Sequence, residues 1–100
     1  MKVSINELEG LIVASLEGEL DTTAATDVEK ALQPLLDNDS RDIVFDCSQL
    51  DYIASSGLRI LLSVLKNAKS QGRKVALKDV NEDIKNVFKM TGFINLFDFE

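Results

Sequence analysis

The chain has 100 residues, 45% of them hydrophobic, which fits one compact domain over residues 1–100 with a single core. Its formal net charge of −6 argues against nucleic acid and against an anionic membrane surface as binding partners. Histidine is absent and Cys47 is the only cysteine, which excludes a Ser-His-Asp or Cys-His catalytic device and a typical Cys/His zinc site. We therefore expect that the protein is not an enzyme and that it binds neither a metal ion nor another cofactor.

The N-terminal residues predict a β-hairpin. Val3 and Ile5 alternate with polar neighbours, and a denser apolar run follows at residues 11–16. Glu9 and Gly10, between the two runs, are typical of a turn. The first two elements are therefore expected to be adjacent antiparallel strands.

A helix is predicted from residue 21, because apolar residues then recur every three or four positions. Asp21 is the expected N-cap, with Thr22 and Thr23 as further capping side chains. Pro34 should bend or shorten the last turn because it lacks an N–H. A loop is expected at residues 38–40. The apolar positions of this helix are Ala24, Val28, Ala31, Leu32, Leu35 and Leu36.

The next strand is predicted at residues 43–45 and is expected to end near Cys47. Its unbroken apolar run is typical of a strand that is buried on both faces in the middle of a sheet. Cys47 closes the run and is expected to be a small buried hydrophobic residue. A second amphipathic helix follows from Ser56 to the terminating Gly72. Its apolar stripe is Leu58, Leu61, Leu62, Leu65 and Ala68.

Residues 75–77 predict a further strand, and Asn81 is expected to cap a third helix that ends before Gly92. The last apolar segment comprises Phe93, Leu96, Phe97 and Phe99. Strands that alternate with helices after an opening hairpin require at least two right-handed crossovers. The predicted fold is therefore α/β, a mixed sheet of four or five strands with three or more helices packed against it.

Residues 51–59, Asp-Tyr-Ile-Ala-Ser-Ser-Gly-Leu-Arg, lie between the predicted strand and the second helix. They should therefore lie at the carboxyl edge of the sheet, where α/β proteins usually place function. Ser55 is the expected N-cap of the helix, and capping alone would explain a serine at this position. A phosphate on Ser55 would meet the same free N–H groups and the positive end of the helix dipole. Tyr52 and Ile53 are expected to pack against the core.

Residues 51–59, with the apolar helix after them, resemble the signature of anti-sigma factor antagonists of the STAS family. Residues 18–21, Gly-Glu-Leu-Asp, resemble the family's second motif, and the turn at residues 90–93 also fits. The likeness covers essentially the whole chain. It implies a domain that binds an anti-sigma factor that is also a serine kinase. Phosphorylation of one serine would abolish binding, and a PP2C-type phosphatase would restore it.

Carried over by position, the resemblance implies that Ser55 is the phosphorylated residue. The implied partner-binding residues are Asp21, Ala54, Ser56, Gly57 and Arg59. Asp21 could equally be a helix cap alone, and Arg59 could be a solvated helix residue. Many phosphorylated members carry an aspartate where this chain has Ala54, so a charge used in kinase recognition is absent here.

An alternative from another class is an accessory STAS subunit of a lipid-transport complex or a signalling scaffold, in which Ser55 is never phosphorylated. For both functions we expect a cytoplasmic protein without membrane insertion. The longest apolar stretches, at residues 11–16 and 58–65, are too short or too interrupted to span a bilayer. The N-terminus also lacks the charged-then-apolar layout of a signal peptide.

Overall fold

A computed structural model describes residues 1–36 and 40–100. In this part of the chain, five strands form one mixed sheet in the order β1-β2-β3-β4-β5. The first two strands are antiparallel, and every later neighbouring pair is parallel. The predicted hairpin and fold class are therefore confirmed. The strands are β1 (Lys2–Leu8), β2 (Leu11–Leu20), β3 (Asp42–Ile53), β4 (Val75–Lys78) and β5 (Asp98–Phe99).

Three α-helices connect the parallel strands within the described residues. They are α1 (Thr22–Ala31), α2 (Ser55–Ser70) and α3 (Glu82–Thr91). Short 3-10 turns follow α1 at Gln33–Leu36 and α3 at Phe93–Asn95. None of the helices in the described ranges is long and apolar enough to cross a bilayer.

The three helices cover one face of the sheet. Each crossover from β2 to β5 steps to the same side, and right-handed crossovers in one direction place their helices on one face. The residues on that face are buried, as the neighbouring Ile12 and Ile43 show. On the opposite face Val13 and Val44 are only partly buried. The predicted burial of residues 43–45 on both faces is therefore wrong, whereas their central place in the sheet is confirmed.

Aromatic packing attaches the C-terminal segment to the core. The ring of Phe88, on α3, meets the rings of Phe97 and Phe99 edge to face, with centroids 5.5 Å apart in both pairs. Cys47 is only 2% exposed, which confirms it as a small buried hydrophobic residue. Burial raises the pKa of its thiol to about 12, so the thiol stays protonated at neutral pH.

The predicted caps of the first and third helices are confirmed. An Asp21 carboxylate oxygen accepts a hydrogen bond from the Ala24 N–H at 2.8 Å, and the Asn81 side chain accepts one from Ile84 at 2.9 Å. Gly92 ends α3 with a φ of 79°, a left-handed conformation that favours glycine.

The end of α1 and the connection after it differ from the expected form. The α-helix already ends at Ala31, and Pro34 lies in the separate 3-10 turn rather than in the last helical turn. A proline at this position cannot donate the i to i−4 hydrogen bond that would continue the α-helix. Residues 38 and 39 of the predicted loop lie outside the described residues.

The third strand is longer than the sequence predicts. It does not end near Cys47 but continues to Ile53, because its last residues pair with the end of β2. In this pairing Tyr52 lies beside Glu19, and Ile53 lies beside Leu20. Ile53 is buried as expected, but Tyr52 is 50% exposed, so its predicted packing against the core is wrong.

Candidate functional site

The candidate site lies at the edge of the sheet where β2 and β3 both end. The Ala54 N–H donates to the Leu20 carbonyl at 2.9 Å, which holds the two strand ends together. Asp21 follows Leu20 directly, and Ser55 follows Ala54. The fold therefore brings together two segments that are more than thirty positions apart in the sequence, and both lie at the predicted carboxyl edge.

Gly57 allows α2 to lie close against this edge. A Cβ atom at this position would be 2.6 Å from Leu20 Cγ, closer than packed atoms tolerate, and 3.1 Å from Ile53 Cγ1, which is a tight contact. Gly57 itself is buried, so its part in the site is to set the position of the helix start. The motif requires a glycine here because of the close packing against Leu20 and Ile53, and this contact is visible only in the tertiary structure.

Ser55 is the first residue of α2 and is exposed to solvent. The N-cap is Ala54, whose side chain cannot accept a hydrogen bond from the first turn. The prediction that Ser55 caps the helix is therefore wrong, as is the predicted helix start at Ser56. The physical reason is the pairing of β3 with β2 up to Ile53, which leaves Ala54 alone between strand and helix.

Ser56 lies beside the start of α1. Its hydroxyl donates to the Thr22 hydroxyl at 3.5 Å, a long contact between the first turns of the two helices. Thr22 was expected only as a capping residue, but Asp21 alone provides the observed cap of α1. The two adjacent serines thus have different surroundings, because Ser55 is exposed and Ser56 is half-buried.

Arg59 lies one turn after Ser55 on the exposed side of α2. It lines an open groove of about 450 Å³ between α1 and α2, together with Ser56 on its own helix and with Thr22 and Glu29 on α1. The candidate site therefore combines the hydroxyl groups of Ser55, Ser56 and Thr22 with the Asp21 carboxylate and one guanidinium group. No three potential metal ligands come together anywhere in residues 1–36 and 40–100.

Of the predicted site residues, Asp21, Ala54, Ser55 and Ser56 lie together at the sheet edge, Gly57 lies beneath them, and Arg59 lies one turn further along α2. Sequence reasoning missed the exposed Tyr52 ring at the end of β3. Its place in a β-strand with a buried residue directly after it indicates that it points away from the core, but this follows only when the strand is known to extend that far.

The chain matches the family model of the STAS domain over residues 2–100. It is 31% identical, over 97% of its length and 84% of the relative's, to a Bordetella bronchiseptica protein provisionally named anti-sigma factor antagonist BtrV. Its fold is similar to that of the anti-sigma factor antagonist SpoIIAA in the unphosphorylated form, with a TM-score of 0.77 and 16% identity over 99% of this chain and 87% of that one. It is also similar to Bacillus SpoIIAA in the phosphorylated form, with a TM-score of 0.76 and 17% identity over 99% and 91% of the two chains. The chain belongs to the STAS domain family.

Proposed function

We propose that this protein is an anti-sigma factor antagonist that acts by switching partners in the bacterial cytoplasm. In its unphosphorylated form it binds an anti-sigma factor that is also a serine kinase, and phosphorylation on Ser55 releases that partner. A PP2C-type phosphatase restores binding. The protein itself acts through binding and performs no chemistry.

The observation that carries this proposal is the position of Ser55. Its hydroxyl is exposed on the first turn of α2, where the N-cap Ala54 provides no side-chain acceptor. A kinase would therefore meet an accessible hydroxyl, and the fold would accommodate the phosphate beside free N–H groups at the positive end of the helix. Ser56 is less suitable, because the residue is partly buried and its hydroxyl contacts the Thr22 hydroxyl.

The surroundings of Ser55 support a binding surface that is sensitive to charge. Asp21 on one side and the half-exposed Tyr52 on another offer polar and aromatic contacts of the kind enriched at interfaces. Phosphorylation adds about −1.5 to −2 charges to this surface. An uncompensated charge in an interface commonly costs about 2–5 kcal/mol, which corresponds to a loss of roughly 30-fold to several thousandfold in affinity.

The class of partner is supported by the relatives. The Bordetella bronchiseptica protein and SpoIIAA are both described as anti-sigma factor antagonists, and SpoIIAA has been solved with and without phosphate. Such a description requires an anti-sigma factor as the binding partner of the relative. We extend this to the present chain because the family model matches it over residues 2–100.

The test combines partner capture with phosphate mapping. Tagged protein is incubated with native extract, and the captured partner is purified and mixed with the protein and ATP. We expect an anti-sigma factor to be captured and one phosphate to be added, located on Ser55 by mass spectrometry. Ser55→Ala should abolish labelling, whereas Ser56→Ala is the matched control and should keep it.

Two results would contradict the proposal. Phosphate on Ser56 or on a threonine would place the switch elsewhere. Capture of a transport complex or a scaffold, with no phosphate added by any captured kinase, would favour the accessory STAS subunit instead.

A further inference from the structure

Arg59 is the basic side chain nearest in sequence to Ser55 on α2, and the helix places the two residues as neighbours. They are four positions apart, so their Cβ atoms are separated by about 5–6 Å on the same side of the helix. Side chains on an α-helix slant toward its N-terminus, so the long arginine side chain can reach over the turn that begins with Ser55. Both residues are exposed.

The guanidinium group of Arg59 is not engaged in an ion pair within the described residues. The two ion pairs found there join Lys2 to Glu17 and Arg41 to Glu7. Glu29, on α1, lines the same groove but forms no ion pair with Arg59. Arg59 is therefore free to respond to a new negative charge one turn away.

We propose that Arg59 is the intramolecular counterion of phosphorylated Ser55. The phosphate would carry more negative charge than Glu29 and would lie on the same helix, in the favourable order with the anion N-terminal to the cation. Arginine also matches the planar, two-pronged hydrogen bonding of phosphate oxygens better than lysine does. This inference rests on the proposed function, because it requires that Ser55 is phosphorylated.

The pairing gives the switch a second component. Before phosphorylation, Arg59 is available to an acidic group of the partner. Afterwards its guanidinium group is held by the phosphate, so the contact surface gains negative charge and loses a cation in the same event. Arg59 is thus a positioning residue, because it acts by holding the phosphate on Ser55.

The experiment measures the second ionisation of phosphoserine at position 55 directly. Phosphoserine is installed there during protein synthesis by an expanded genetic code, and its phosphorus resonance is followed by NMR as the pH is changed. A neighbouring cation favours the dianion and therefore lowers this pKa, whose usual value is about 6. Apart from Arg59, the charged residues at the strand ends and helix starts that meet at this edge are the carboxylates Glu19, Asp21 and Asp51, and each of them would raise it. The remaining charged residues of the two helices lie further from Ser55 along α1 and α2, namely Asp27, Glu29, Lys30, Lys66 and Lys69.

We expect the phosphoserine pKa to be lower with Arg59 than in Arg59→Gln by about half a pH unit, or roughly threefold in the acid dissociation constant. Arg59→Lys should keep part of the shift. Lys66→Gln is the matched control, because Lys66 lies on the same side of α2 as Ser55 but about 16 Å from Ser55 along the helix axis. The difference between wild type and Arg59→Gln should shrink in 1 M salt, where charges at the surface are screened.

Equal phosphoserine pKa values in wild type and Arg59→Gln would overturn the inference, as would a shift of the same size in Lys66→Gln. Both outcomes are independent of the kinase, because the phosphate is installed without it. Failure of the kinase to label Ser55 would instead contradict the proposed function.

Discussion

The starts of α2 and α3 are built differently. Asn81 caps α3 with a side-chain hydrogen bond to Ile84, and two acidic residues follow in its first turn. The start of α2 has Ala54 as its N-cap, no side-chain cap and no acidic residue in the first turn. One helix start is satisfied by its own side chains, whereas the other leaves its positive end free. The unfilled start is the one that carries the exposed serine.

Under the proposed function, this difference separates the residues that stabilise the fold from the residue that is modified. Capping side chains at α1 and α3 stabilise the folded chain at the places where no change is needed. At α2 the packing of Gly57 against Leu20 and Ile53 fixes the helix start instead. The position of the helix start then does not depend on the Ser55 side chain, so that side chain is free to be modified.

The largest expected effect is on partner binding. Ser55→Asp should weaken binding of the anti-sigma factor by at least about tenfold, and phosphoserine by roughly 30-fold to several thousandfold, because both place negative charge in the contact surface. The melting temperature should stay within about a few degrees of wild type, since the start of α2 tolerates an anion. Calorimetric titration and thermal melts on the same samples measure both quantities.

Ser4→Asp is the matched control for this binding test. It adds the same charge to an exposed position on β1, on the side of the sheet away from the helices, and should leave affinity unchanged. Equal affinity of Ser55→Asp and wild type for the anti-sigma factor would contradict the claim that the start of α2, unlike that of α3, carries a charge-sensitive binding residue. An unfolded Ser55→Asp variant would do the same.

Gly57→Ala should cause the largest loss of stability. The new methyl group would overlap Leu20 at 2.6 Å, and overpacking of this kind typically costs about 1–3 kcal/mol, more than the better helix propensity of alanine returns. Denaturant unfolding measures the change. Ser63→Ala, on the exposed side of the same helix, is the control and should be nearly neutral. A stabilised Gly57→Ala variant would show that α2 is not held in place by this close contact.

The three helix starts should respond differently to alanine. Asp21→Ala and Asn81→Ala each remove an observed cap and should destabilise the fold by about 0.5–2 kcal/mol. Asn81→Ala should be the more costly of the two, because Asn81 also donates to the Leu50 carbonyl at 3.2 Å. Ser55→Ala should change stability by less than about 0.5 kcal/mol, since this serine is not the cap. If denaturant unfolding shows that Ser55→Ala lowers the free energy of unfolding as much as the removal of a cap does, the structure is contradicted.

A smaller effect than the loss of the two observed caps is expected from giving α2 the cap that it lacks. Ala54→Asp should stabilise the fold by about 0.5–1 kcal/mol, because an aspartate at the N-cap accepts a hydrogen bond from the first turn. It should also raise the rate of Ser55 phosphorylation if the kinase recognises a charge at this position. Unfolding curves and initial labelling rates measure the two effects. Unchanged stability would indicate that the first turn of α2 is already satisfied in solution.

Local sequence patterns predicted most of the elements. The period of the apolar residues located all three helices, and the capping residues Asp21 and Asn81 marked two helix starts within one residue. These features depend on side chains that lie within one turn of each other, so a short window of sequence contains them. The motif at residues 51–59 also located the candidate site at the carboxyl edge of the sheet.

The start of α2 could not be placed in the same way. Its position depends on how far β3 continues, and β3 continues because its last residues pair with β2, more than thirty positions earlier. Ser55 therefore looked like a cap, because a serine before a helix usually is one. The exposure of Tyr52 was missed for the same reason.

By itself, the sequence determined the order of strands and helices, two of the three helix caps and the family resemblance. Each of these features depends on residues that are close together in the sequence. Only the tertiary structure decided that the helices cover one face of the sheet, that Gly57 lies against Leu20 and that Ser55 stands free on the first turn of α2. These three features arise from contacts between segments that are distant in the chain. Such contacts exist only when the strands have paired and the helices have packed.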